Sequence, residues 1–258
     1  MPRVTVLFWV VKVLTTAMGE STSDYLVHRF NPYLAVVGGF VVFAVAMAIQ
    51  FAVDRYRSWA YWLAVTMVAV FGTMAADVLH VEFGVPYVAS TVLFAVALVV
   101  VFSGWYRSEK TLSFHSIFTR RRELFYWAAV LATFAMGTAA GDLAAYTAKL
   151  GFLSAGIMFA CLFALPGLGY RFLGLNPIFA FWFAYVMTRP LGASFADWTG
   201  KSRTAGGLGF GDGPVAFVLG GLIVALVAYL TLSGSDDPNR ATDSPADSRL
   251  AVSSSART

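Results

Sequence analysis

"FWFAYVMTRPLGASFADW", residues 181–198, is mostly apolar and aromatic yet encloses Arg189, Pro190 and Asp197. Whether this is a membrane span is settled by the rest of the chain. Hydrophobic residues make up 59% of it and charged residues only 12%, with a mean hydropathy of +0.71. Soluble domains carry about 25% charged residues, so composition argues against a water-soluble globule. Apolar runs long enough to cross a bilayer, roughly 17–25 residues each, recur near 4–26, 33–53, 59–80, 86–105, 124–147, 150–169, 177–198 and 214–232.

The quoted stretch is one of four related copies. Residues 8–24 read "FWVVKVLTTAMGESTSD", 61–77 "YWLAVTMVAVFGTMAAD", 126–142 "YWAAVLATFAMGTAAGD" and 181–197 "FWFAYVMTRPLGASFAD". All fit [FY]-W-x9-G-x4-D without a gap. The tryptophans are Trp9, Trp62, Trp127 and Trp182; the glycines are Gly19, Gly72, Gly137 and Gly192; the aspartates are Asp24, Asp77, Asp142 and Asp197. A turn-prone link and a second apolar span follow each copy. The expected fold is therefore an all-α integral membrane protein of eight transmembrane helices, arranged as four parallel-repeated helical hairpins. The repeats cover about 6–56, 59–108, 124–172 and 178–232, within a bundle over residues 1–232. Because each unit crosses twice, all four share one orientation. The first copy also places residues 8–24 in the bundle, against a cleaved leader, and Lys12 interrupts that apolar stretch.

Residues 233–258, rich in Ser, Asp, Pro and Arg, bury too little apolar surface to fold and read as a disordered cytoplasmic tail. The pI of 9.3 comes with cations clustered beside the spans, which suits lipid headgroups and membrane orientation instead of nucleic acid. The side bearing both termini holds Arg3, Arg55, Arg57, Arg107, Lys110, Arg120, Arg121, Arg122 and Arg171. The other side holds Arg29, Lys149, Lys201 and Arg203. The positive-inside rule then puts both termini in the cytoplasm. Cys161 is the one cysteine, so no disulfide can form within the chain.

The four-fold motif, with "TRPLGASFADW" in the last copy and "GGLGFGDG" after it, resembles a group of multi-pass bacterial membrane proteins built of a tandem repeat known as domain of unknown function 347. The resemblance spans nearly all of residues 6–232. It implies a bacterial inner-membrane protein with four repeats, and no activity, cofactor or catalytic residue comes with it.

Function is thus read from chemistry. Tryptophans beside an aromatic neighbour at a helix start suit interface anchors, with rings among headgroups. The aspartate lies about 22 Å further along the helix, in the outer third of the bilayer core. The glycines, with small neighbours, favour close helix packing. First helices are expected to meet along these faces, Gly72 near Gly192 and Gly19 near Gly137, aiming their aspartates at a shared interior. The first helices carry Glu20, Asp24, Asp77, Asp142 and Asp197 against Lys12 and Arg189. Each charge at a helix centre costs about 2.5–3.5 kcal/mol on insertion scales, so a surplus of acids calls for water, protons or bound cations.

The five acids form the expected cation or proton pathway, and Asp24, Asp77, Asp142 and Asp197 are the candidate metal ligands. Lys12 and Arg189 are the counter-charges. Pro190 is expected to kink the helix at Arg189 and turn the guanidinium toward another repeat, Glu20 first. His28 and His80 follow their aspartates by four and three residues, but Tyr146 and Lys201 occupy the fourth position in the later repeats, so histidine stands outside the pattern. Carboxylates with hydroxyls from Thr15, Thr16, Ser21, Thr22, Ser23, Thr73, Thr138 and Ser194 suit hard cations. The first reading is a small transporter, exporter or channel for such a cation, partnered by the bilayer, without cofactor and more plausibly not an enzyme. The alternatives are a membrane enzyme using an aspartate pair that includes Asp197 or Asp212, and a non-catalytic scaffold or sensor.

Overall fold

The computed structural model describes residues 1–81, 83–114 and 117–237. Among these there is no strand, and eight long helices follow one another: α1 (Val6–Arg29), α2 (Pro32–Ala52), α3 (Ser58–Val81), α4 (Tyr87–Glu109), α5 (Arg120–Asp142), α6 (Gly151–Leu173), α7 (Pro177–Gly200) and α8 (Asp212–Ser233). Local sequence sets their starts. Thr5 and Thr119 accept backbone hydrogen bonds from Phe8 and Arg122. Asn31 and Asn176 each accept two, and each is followed by a proline at the first helical position, where its missing N–H costs nothing. Gly174 and Gly234 end α6 and α8 in the left-handed conformation that glycine alone adopts freely.

Helices α2, α3, α4, α5 with the turn after it, α6 and α8 are long and apolar enough to cross a membrane. Helices α1 and α7 match them in length, 24 residues each, but contain Lys12, Glu20, Asp24, Arg189 and Asp197. Those charges face inward. The outer helices present Phe40, Val45, Val96, Val99, Leu165 and Val224 on their exposed faces, as bilayer contact requires.

The helices starting each repeat, α1, α3, α5 and α7, form a closed inner ring in that order, with α7 back against α1. Each second helix packs chiefly on the first helix of the following repeat: α2 on α3, α4 on α5, α6 on α7 and α8 on α1. The two helices of one repeat touch each other far less, so the hairpin is a unit of sequence and not of packing. The ring explains the motif. A Cβ on Gly19 would fall 2.5 Å from the Cβ of Ala69, one on Gly72 3.1 Å from the Cβ of Phe134, and one on Gly137 2.6 Å from the Cβ of Arg189, while one on Gly192 would collide with Thr16. In every case the glycine meets the residue three positions before the glycine of the next helix. Contact therefore runs between neighbours around the ring, and the expected approaches of Gly72 to Gly192 and Gly19 to Gly137 fall across its diagonals.

The aromatic pairs obey the same rotation. Phe8 packs on Trp62 at 5.6 Å between ring centroids, Tyr61 on Trp127 at 5.8 Å, Tyr126 on Trp182 at 6.0 Å and Phe181 on Trp9 at 5.7 Å. Trp62, Trp127 and Trp182 are buried. These rings form a belt near the terminus-bearing end in which Trp62, Trp127 and Trp182 point into the interior and Trp9 stays partly exposed; a tryptophan early in a helix fits interface or interior until the next helix is in place. Phe114 stacks on Phe181 at 3.7 Å and adds to the belt.

The terminus-bearing end is tied together by Asp236. Its carboxylate accepts from the hydroxyls of Tyr56 (2.5 Å) and Ser58 (2.7 Å), and its backbone carbonyl from the amide of Arg3. The Tyr56 hydroxyl is pushed far above the ordinary tyrosine range by burial and by this carboxylate. The segment read as a solvated tail thus begins with a docked residue, and its remainder, 238–258, lies outside the described residues.

Candidate functional site: an acid layer and an axial arginine

Successive turns of the four inner helices stack residues in layers about the ring's axis. Counted from the motif glycine, position −7 supplies Lys12, Val65, Val130 and Tyr185, position −3 Thr16, Ala69, Phe134 and Arg189, and position +1 Glu20, Thr73, Thr138 and Ala193, all buried. Arg189 reaches across this last layer. One guanidinium nitrogen shares its two N–H groups among three acceptors, Glu20 (2.5 Å), Thr138 (2.8 Å) and Thr73, the +1 residues of the other three repeats. The guanidinium therefore sits on the axis. Thr138 and Thr73 remain good acceptors there although their own hydroxyls donate to helix carbonyls, since an oxygen carries two lone pairs.

Arg189 is itself helical, and α7 continues through Pro190 without a break. The expected kink-driven turn is unnecessary: Arg189 reaches Glu20 because the ring places it there. Thr16 donates to the carbonyl of Thr188 at 3.0 Å, an extra bond beside the proline. Lys12 does not find a carboxylate. Its side-chain nitrogen lies 4.1 Å from the ring centroid of Phe134 and 4.3 Å from that of Tyr185, within cation–π range of both faces, and has no hydrogen-bond partner.

Beyond the Arg189 layer, toward the end away from the termini, the four motif aspartates gather in two groups. Glu20, Asp24 and Asp197 each offer an oxygen within 4.8 Å of the others. Lys201, just past α7, lies 2.5 Å from Asp24, 3.9 Å from Asp197 and 3.8 Å from Asp212. Burial alone would lower the ammonium's pKa, but these carboxylates outweigh it and hold Lys201 above the ordinary lysine range, so it stays charged at physiological pH. The second group is Asp77, His80 and Asp142, again within 4.8 Å of one another. The Ser23 hydroxyl donates to Asp77 at 3.5 Å. Asp142 ends α5 where the helix widens into a π turn, Leu143–Thr147, a local distortion frequent at functional sites.

His80 was outside the sequence pattern, and its imidazole joins two of the four aspartates. Nothing in the repeat announces it, because it follows Asp77 by three residues and its equivalents are Val27, Ala145 and Gly200. His28, by contrast, is turned to its own helix, its Nδ1 2.7 Å from the carbonyl of Asp24. Asp212 opens α8 as a third carboxylate around Lys201.

The model of the Repeat of Unknown Function (DUF347) matches four times, at residues 7–56, 60–111, 125–173 and 180–236. The chain belongs to the DUF347 repeat family. Neither the curated proteins nor the solved structures contain a match to it. Each matched interval contains one copy of the motif, and the fourth extends through the docked Asp236.

Proposed function

We propose that this DUF347 protein spans the bacterial cytoplasmic membrane eight times, with both termini in the cytoplasm, and binds and moves a cation through its acid layer. The nine cations on the terminus-bearing side against four on the other support that orientation. One observation carries the functional reading: five carboxylates from four helices converge beyond an axial guanidinium that is bonded to one of them. Charges so placed are costly in a membrane and signal an ion pathway.

The chemistry follows from the layers. The acids concentrate cations arriving from the side away from the termini. Arg189 and the aromatic belt below it close the axis. A cation or proton on Glu20 competes with Arg189 for the same carboxylate, so loading of the acid layer weakens the bond that holds the guanidinium across the path. Passage is then coupled to displacement of Arg189.

The test is cation flux into liposomes containing the purified protein, screened across monovalent and divalent ions. Flux of at least one ion is expected, and Asp24→Asn, Asp77→Asn, Asp142→Asn and Asp197→Asn should each reduce it while the protein still inserts. Undiminished flux in all four variants would remove the carboxylate pathway. A scaffold or sensor is the second reading, favoured by the internal pairing of Glu20 with Arg189 and of Asp24 with Lys201, which leaves those acids needing no external ion.

A further inference from the structure

The Asp77–His80–Asp142 group differs from a mere collection of acids in the state of its histidine. The side chain of His80 is only 5% exposed. Its Nε2 lies 2.6 Å from the Ser90 hydroxyl, and that hydroxyl gives its own proton to the carbonyl of Tyr87 at 3.1 Å. With Nε2 donating to the Ser90 oxygen, the lone pair stands on Nδ1. Nδ1 has no hydrogen-bond partner and points at Asp142, whose Oδ2 is 3.9 Å away, too far for a hydrogen bond. Tyr87 packs edge-on against the imidazole at 4.4 Å and fixes its plane. A buried lone pair beside two carboxyl groups needs a proton or a cation between them, and among the described residues no lysine or arginine comes within ion-pair distance of Asp77 or Asp142.

We infer that Asp77, His80 and Asp142 form a binding site for one divalent transition-metal ion, with Ser90 as the outer partner that sets the imidazole tautomer. This deepens the cation reading above and rests on it for the ion's passage, though not for its binding. The donor set decides the class. Two carboxylates attract divalent charge, and a neutral imidazole favours manganese, iron, cobalt or zinc over magnesium and calcium, which prefer oxygen throughout. A hydrogen bond from the remote ring nitrogen is the usual support of a metal-bound histidine. Metal–ligand bonds of about 2.0–2.2 Å hold neighbouring ligand atoms roughly 3–3.5 Å apart, so the three donors draw in modestly on the ion. The π turn beside Asp142 gives that carboxylate a backbone able to adjust.

The experiment uses the full-length protein purified in detergent and freed of metal with a chelator. It is titrated with Co²⁺, followed by visible absorption, and with Mn²⁺, followed by electron paramagnetic resonance. One saturable site is expected, with nitrogen coupling from a single imidazole. His80→Ala should weaken it by more than about 100-fold and Ser90→Ala by about 10-fold, the range for an outer partner, while Asp236→Ala, at the opposite end of the bundle, leaves it unchanged. Should His80→Ala not fold, Ser90→Ala and Asp142→Asn carry the same decision. Absence of saturable binding, or binding that survives both His80→Ala and Asp142→Asn, overturns the assignment. So does Mg²⁺ competing as strongly as Mn²⁺. If no divalent ion binds yet flux of another cation still depends on Asp77 and Asp142, the metal site falls and the pathway stands. If metal binds as expected and no cation crosses the liposome, the site stands and the pathway falls.

Discussion

The two halves of the acid layer arise from the same repeat and meet the same problem in opposite ways. Where repeats four and one join, Asp197, Asp24 and Asp212 surround Lys201, and Glu20 holds Arg189. Where repeats two and three join, Asp77 and Asp142 face an imidazole whose free nitrogen is turned toward them. One half carries its cation in the chain; the other is built as though its cation comes from outside. The internal cation is Lys201, four residues after its motif aspartate, and the imidazole is His80, three after its own.

The largest effect is expected from Arg189→Ala, which leaves Glu20 buried without its counter-charge. Breaking a buried pair from one side costs about 3–5 kcal/mol, so the thermal midpoint in detergent should drop steeply. Glu20→Gln combined with Arg189→Ala should recover part of that loss, because no orphan charge remains. A double variant no better than the single one would show that Glu20 is not the partner that matters.

Overpacking the ring comes next, at about 1–3 kcal/mol. Gly192→Ala and Gly137→Ala should destabilise more than Gly72→Ala, whose added Cβ would come no nearer than 3.1 Å, to the Phe134 side chain. An equal loss at all three positions would contradict the ring register.

Lys201→Met sharpens the contrast between the halves directly. It removes the internal cation beside Asp24, Asp197 and Asp212, so that half should acquire a need for an external one. The variant's thermal midpoint should rise with added Ca²⁺ or Mg²⁺ more than the wild type's does. Ion-independent behaviour would mean that the carboxylates there are neutralised some other way. The smallest effect concerns the far end: Asp236→Ala loses its side-chain bonds to Tyr56 and Ser58 and should cost about 1–3 kcal/mol, read as thermal midpoint, with the acid layer's ion response unchanged.

Much of the frame was legible because the repeat is ungapped. Four glycines and four aspartates at fixed spacing put the same face of four helices inward, and two lone cations among apolar residues had few places to go, so Glu20 could be named for Arg189. What the repeat could not convey is how its copies touch. The offset by which Gly19 meets Ala69, and Phe8 meets Trp62, is a property of ring closure, and the same offset turns Trp62, Trp127 and Trp182 into the interior. Lys12 was read as a counter-charge because an apolar helix seemed to offer nothing else, whereas Phe134 and Tyr185 supply ring faces from two other helices. His80 stands outside the repeat pattern because its place depends on Ser90 at the start of the next helix and on Asp142 from another repeat.

The central claim is that the acid layer handles a cation, and flux through the half lacking an internal one tests it most directly. Liposomes containing wild-type protein, Asp77→Asn/Asp142→Asn and Lys201→Met should be compared for uptake of the ion that the wild type transports best. The account predicts that the double aspartate variant inserts normally but loses nearly all flux, while Lys201→Met keeps measurable flux with altered ion dependence. Wild-type flux in the double aspartate variant would contradict it.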